Sequence, residues 1–168
     1  LEHELRRAER HGYYGAVLFI DLDNSSGLSF KHHPKVMAKI YDYFTQNIVD
    51  VLYSDPFRAD YIDIKGDGAF GIFEGEQAAF KALAAALTFK TFFEKHIRTK
   101  FQTDTDAFNC KIGIDKDKVL VKKIGRRGDN NEVWAGRVVN HAAKLASLSK
   151  RIYSTDTNIT PATASLLM

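Results

Sequence analysis

Hydrophobic positions along this chain switch between two spacings. Ala16-Val17-Leu18-Phe19-Ile20 is an unbroken apolar run, the pattern of a strand covered on both faces, and predicts a first strand over 14–21. Behind Pro34, which suits a first helical turn, Val36, Ile40, Phe44, Ile48 and Val51 recur at helical spacing and predict a helix to about residue 53, closed by Asp55-Pro56. Ile62 and Ile64 then alternate with Asp63 and Lys65. Gly66-Asp67-Gly68 interrupts, and Phe70, Ile72 and Phe73 resume, which predicts a β-hairpin over 61–73. A second helix runs from about Glu76 to His96, its alanine-rich middle and Phe80, Leu83 and Leu87 predicting close packing on a sheet. After a loop at 101–107, Lys111-Ile112-Gly113-Ile114 and Val119-Leu120-Val121 predict a second hairpin turning at Asp115-Lys116-Asp117. A charged loop at 125–131, a third helix over about 136–148, a short strand at 152–154 and a helical turn from Pro161 complete the pattern. Residues 1–11 read as a charged helical lead-in.

The order β-α-β-β-α-β predicts an α/β (α+β) fold of the ferredoxin-like kind, a mostly antiparallel sheet with helices on one face. With 168 residues and 45% hydrophobic content, one core and one domain over 1–168 are expected. The net charge of +3 (24 basic minus 21 acidic) implies no general polyanion surface, so no nucleic-acid partner is expected. Cys110 is the only cysteine, which excludes an internal disulfide and a cysteine-rich zinc site and suits a reducing, cytoplasmic setting. No apolar run approaches the ~20 residues of a membrane span. The stretch Leu1-Glu2-His3-Glu4-Leu5-Arg6-Arg7 lacks a signal-peptide core, so no membrane partner is expected either.

Asp67 at a hairpin tip can serve turn geometry alone. Asp21 changes that reading. It ends the first apolar run and precedes the polar stretch Leu22-Asp23-Asn24-Ser25-Ser26-Gly27. Two strands that each deliver a carboxylate beside a Ser/Gly-rich loop can hold divalent metal over a phosphate chain.

Three motifs in order, Leu18-Phe19-Ile20-Asp21-Leu22, Lys65-Gly66-Asp67-Gly68, and Val133-Trp134-Ala135-Gly136-Arg137-Val138-Val139-Asn140-His141-Ala142-Ala143-Lys144-Leu145, resemble the class III nucleotidyl cyclases over roughly residues 14 to 165. The resemblance implies that Asp21 and Asp67, with the Leu22 carbonyl, bind two divalent cations, Mn²⁺ or Mg²⁺. It implies that Asn24, Ser25 and Ser26 lie where backbone N–H groups cradle phosphates. Asn140 and Lys144, at i, i+4 spacing, correspond to the pair that orients the ribose and stabilises the transition state. Lys144 stands where the family has Arg, a point charge replacing a planar fork. The family sets the two groups on opposite sides of a dimer interface, so one chain carrying both implies a homodimer with composite sites. Trp134, Val138 and Val139 are expected to pack.

The base-reading positions depart from the purine cyclases. Asp63 stands where they carry Lys or Glu, and Glu132 where they carry Asp, Thr or Cys. An acceptor at Asp63 cannot donate to adenine and suits a ring that presents N–H donors. Tyr61, on the same strand face, can fill space left by a smaller base. The chain thus resembles the bacterial pyrimidine cyclases, which make cyclic UMP or cyclic CMP as an anti-phage alarm. On family grounds UTP is the expected substrate, with a cytidylate cyclase or a purine (adenylate or guanylate) cyclase as the alternatives. A domain that binds nucleotide without turnover is a rival class. A diguanylate cyclase is disfavoured because its Gly-Gly-Asp/Glu-Glu-Phe hairpin is absent. Asp23 is expected to be solvated or outside the metal ligands, His32-His33 a solvated loop pair, and His141 exposed or partner-facing. Lys116, Lys118, Lys122, Lys123, Arg126 and Arg127 read as a solvated face and as stand-ins for a triphosphate-binding Lys that has no clear counterpart.

Overall fold

The computed structural model describes residues 13–101, 108–126, 129–135, 137–148 and 152–154. The lead-in and the turn from Pro161 lie outside these residues. In chain order the elements are β1 (Tyr13–Asp23), α1 (Ser25–Lys31), α2 (Pro34–Tyr53), β2 (Tyr61–Lys65), β3 (Gly68–Glu74), α3 (Ala78–Phe92), a π-helical turn (Phe93–Ile97), α4 (Arg98–Phe101), β4 (Asn109–Arg126), β5 (Asp129–Ala135), α5 (Arg137–Leu148) and β6 (Ile152–Ser154). The sheet order is β2-β3-β1-β4-β5, with β6 parallel to β4 at Ile112–Ile114 and every other pairing antiparallel. Its first four strands have the order of a ferredoxin-like sheet.

β1 fills the central, doubly covered place its apolar run predicts. Ala16, Leu18, Ile20 and Leu22 point to a core shared with α2 and α3. Val17 and Phe19 point to a second cluster with Phe70, Ile72, Val119, Val138 and Ala142. Helices therefore cover both faces, α2 and α3 one and α5 the other, where a single helical layer was expected. In the larger core Phe44 meets Phe89 and Phe93 edge-on, at centroid distances of 5.4 and 5.9 Å. This geometry suits the ring quadrupoles.

The helical stripes sit slightly off the expected positions. Val36 and Phe80 are exposed, whereas Met37, Leu52, Ala82 and Ala86 take the core positions. The second helix does not end at His96. It passes through the π-helical turn, whose wider turn keeps Phe93 and Ile97 both buried, and continues through α4. Ser25–Lys31, expected as loop leading to the main helix, forms its own short helix anchored by buried Leu28.

The second hairpin does not turn at Asp115-Lys116-Asp117. Those residues lie inside β4, an 18-residue strand, with Val17↔Asp115 and Gly15↔Asp117 paired to β1. The two aspartates serve the face on which α5 lies, and Lys116 between them points to the other. Asp115 Oδ2 is 3.4 Å from His141 Nδ1, and Arg137 donates to Asp117 at 3.2 Å. The reversal comes between Arg126 and Asp129, so Gly125, Asp129, Asn130 and Asn131 of the expected loop are strand residues.

Gly113 brings α5 down onto β4. A Cβ there would overlap the Ala142 carbonyl oxygen and lie 2.6 Å from the Ala146 nitrogen, both helix backbone. No rotamer relieves such a contact. Gly113→Ala is expected to destabilise the fold by about 1–3 kcal/mol, the scale of overpacking. Denaturant unfolding measures it, and a midpoint unchanged from the parent would show that α5 is not seated this tightly.

Candidate active site

Strand register builds the site from three rows of cross-strand neighbours. Lys65, Gly68, Asp21 and Lys111 form the first; Asp63, Phe70, Phe19 and Gly113 the second; Tyr61, Ile72, Val17 and Asp115 the third. All three rows face the side that carries α5, because side chains alternate along each strand. Asp67 lies in the turn beyond the first row, where Gly66 adopts a left-handed φ of 62°. The missing side chain at Gly68 is what admits the Asp21 carboxylate. A Cβ at that position would sit 2.7 Å from Asp21 Oδ1 and 2.6 Å from the Ile20 carbonyl oxygen.

The two acids are electrostatically exposed to each other. Partial burial, and then the negative charge of Asp67, push the Asp21 carboxyl from its ordinary 3.8 up to about 6. The Leu22 N–H and the Lys111 ammonium pull in the opposite direction. Oδ2 of Asp67 is buried and has no hydrogen-bond partner among the described residues. A buried orphan oxygen beside a carboxylate that resists ionisation fits a cation, which would relieve both conditions. The described residues contain no group of three His, Cys, Asp or Glu placed to hold a metal, so these two acids would need a backbone carbonyl and substrate oxygens to complete a shell. Asp23 is not a third ligand in waiting, because it is paired to Lys111 at 2.9 Å.

Residues 9–168 match the adenylate and guanylate cyclase catalytic domain. The chain belongs to that family. Curated relatives include a uridylate cyclase from Micromonospora echinofusca, 34% identical over 89% of this chain and 48% of the relative. Another, from Propioniciclava tarda, is 38% identical over 78% of this chain and 44% of the relative. The chain spans about half the length of these curated relatives. Among solved structures, the guanylate cyclase domain of RhGC from Catenaria anguillulae in complex with GTP superposes with a TM-score of 0.73 at 18% identity, covering 86% of this chain and 79% of that one. At that identity the likeness concerns the fold.

Leu22 is buried opposite Cys110, whose thiol is pushed up to about 12 by burial and is thereby inert. Asn24 is left-handed at φ 53° and caps nothing with its side chain, which folds over Gly27, where a Cβ would collide with it. Ser25 and Ser26 form the first turn of α1 instead of a loop. Asp63 pairs with Lys65 at 2.7 Å, and the Tyr61 ring lies 6.3 Å from that of Phe70. On α5, Val138, Ala142 and Ala146 face the sheet, while Asn140, His141 and Lys144 are exposed. No hydrogen bond or ion pair among the described residues joins Asn140 or Lys144 to the Asp pair. Glu132 lies on β5 opposite Lys123, and its side chain is outside the description. His33 caps α2, accepting from the Lys35 N–H at 3.3 Å, and His32 caps the end of α1. Lys65 stood in the Lys65-Gly66-Asp67-Gly68 motif without a role, and Lys111 escaped the motif reading. Lys65 follows Asp63 by the strand alternation visible in sequence, but Lys111 reaches Asp21 only through the β1–β4 register.

The raised Asp21 group fixes the sign of one pH effect. Its contribution to stability is fully present below about pH 4 and is lost as pH rises through about 6. Metal-free Asp21→Asn should therefore melt several degrees higher than the parent at about pH 7.5, with the gap closing by about pH 4. Thermal melts in chelator check this, and equal midpoints at the higher pH would show that the carboxylates do not repel.

Proposed function

We propose that this domain cyclises UTP to 3′,5′-cyclic UMP, releasing pyrophosphate, as a homodimer in the bacterial cytoplasm, and that the product signals phage attack. The observation that carries the chemistry is the strained pair Asp21 and Asp67, with its unpartnered Oδ2. The names of the curated relatives, together with the acceptor at Asp63, carry the choice of base.

The ribose 3′-oxygen attacks the α-phosphorus, the bond from that phosphorus to the α,β-bridging oxygen breaks so that pyrophosphate leaves, and the 3′-hydroxyl proton passes to solvent. Divalent ions, Mn²⁺ or Mg²⁺, would be held by Asp21, Asp67 and the Leu22 carbonyl, supplying Lewis acidity to the 3′-oxygen and neutralising the triphosphate. Lys111 and the amides around Asn24, Ser25 and Ser26 border that acidic pair and suit the polyphosphate. Lys116 and Lys118 are not placed for this role, because they alternate with Asp115 and Asp117 on β4 and so lie on the other face of the sheet, Lys118 over Tyr14 at 5.6 Å. Asn140 and Lys144 would act on the ribose and the transition-state charge of the partner's substrate, as their exposure on α5 allows. Tyr61, Asp63 and Glu132 would contact the base.

Incubation of the purified domain with Mn²⁺ and each of the four triphosphates, with products identified by mass, tests the reading. UTP is expected to react fastest, and a CTP preference would revise the base alone. Faster cyclisation of ATP or GTP than of both pyrimidines would overturn the reading, and binding without turnover by a folded dimer would make this a sensor. Asp21→Ala and Asp67→Ala should each lower turnover by more than about a hundredfold, since even outer partners of metal ligands contribute ten- to a hundredfold. Mixing Asp67→Ala with Asn140→Ala chains should restore part of the activity through one intact composite site. No recovery, with subunit exchange shown separately, would count against shared sites.

A further inference from the structure

We infer that Lys65 is a specificity residue, acting with Asp63 as a two-point reader of the uracil edge. The inference rests on the pyrimidine cyclase reading and deepens it. Lys65 stands in the first row, separated from Asp21 by side-chain-free Gly68. Charge alone would draw its ammonium toward the two repelling carboxylates. It instead pairs with Asp63 at 2.7 Å, while among the described residues Asp67 Oδ2 has no partner and Lys111 is the cation that acts on Asp21. Lys65 therefore belongs with the base-reading position and not with the metal pair.

The pair is built to be read from outside. The Asp63 side chain is 22% exposed and that of Lys65 58%, so neither head group is sealed off. An exposed ion pair of this kind adds little stability, and stability gives no account of its place beside Phe70 and Phe19. The carboxylate has about four lone-pair sites and the ammonium three N–H donors, so pairing leaves an acceptor and a donor free side by side. Uracil presents an N3–H donor flanked by two carbonyl acceptors. With Asp63 accepting from N3–H, Lys65 can donate to a flanking carbonyl oxygen. Cytosine at the same seat would turn its unprotonated N3 toward Asp63, setting acceptor against acceptor. It must shift to bring its N4 amino group there, and it then meets Lys65 in a different register. The order of donor and acceptor, supplied by Lys65, thus separates two rings that a lone carboxylate would not.

The test is kcat/KM for UTP and CTP with the full chain, parent and variants, under saturating Mn²⁺. Lys65→Met keeps the aliphatic stem and removes the donor. It should cut the UTP value about ten- to a hundredfold, the scale of one mispaired buried contact, while changing the CTP value little, so that the UTP:CTP ratio collapses. Lys65→Gln, which retains an N–H donor without the charge, should recover part of the ratio. If both substrates fall by one factor, Lys65 acts on the polyphosphate or on folding, and the inference is wrong. The parent measurement separates the two levels. A parent that cyclises ATP or GTP faster than both pyrimidines removes the underlying reading and this inference with it, and a parent that prefers CTP keeps the pyrimidine reading but removes this inference. A UTP-preferring parent whose ratio survives Lys65→Met removes the inference alone.

Discussion

Asp21 and Asp67 repel each other, and among the described residues Asp67 Oδ2 has no hydrogen-bond partner and only Lys111 offsets the charge on Asp21. The approach requires Gly68, because any Cβ would occupy the place of the Asp21 carboxylate. It requires the left-handed Gly66 to close the turn that carries Asp67. It also requires a strand stiff enough not to yield to the repulsion. β1 provides this by pairing on both edges and burying side chains on both faces.

The charges around the pair make its isolation selective. On the same face, Asp23 has Lys111, Asp63 has Lys65, Asp115 has His141 and Asp117 has Arg137. Each of these acids has a basic neighbour within 4 Å, so the negative potential of this face concentrates at the hairpin tip. On the proposed reading, that concentration would favour a divalent ion at one place on the sheet over a general acidic surface.

Much of this was legible in the sequence, for identifiable reasons. A doubly buried strand such as β1 must be apolar at successive positions, and a Gly-Asp-Gly turn breaks alternation visibly, so Asp21 and Asp67 stood out. The Asp115-Lys116-Asp117 segment misled because three charged residues look like a turn when their partners are unseen. Arg137 and His141, which meet Asp117 and Asp115, lie on a helix later in the chain. The face taken by α5 was illegible for a related reason: element order gives neighbours in a sheet but not the side on which a later helix lands. Gly113 held that information, yet an isolated glycine does not reveal that helix backbone rests on it. Val36 and Phe80 failed more simply. One helical residue either way exchanges core for solvent, and smaller residues, Ala82 and Ala86, filled the seam.

The two acids also differ in how they are mounted. Asp21 sits on the central strand, whose amides are shielded on both edges and exchange only when much of the sheet opens. Asp67 is borne by a two-residue turn whose outer strand, β2, is the edge of the sheet among the described residues. Fluctuations that alter the separation of the carboxylates are therefore those of the β2–β3 tip, with β1 as the fixed reference. The pair thus has one mount inside the sheet and one at its rim, and the rim mount is continuous with the strand that carries Asp63 and Lys65.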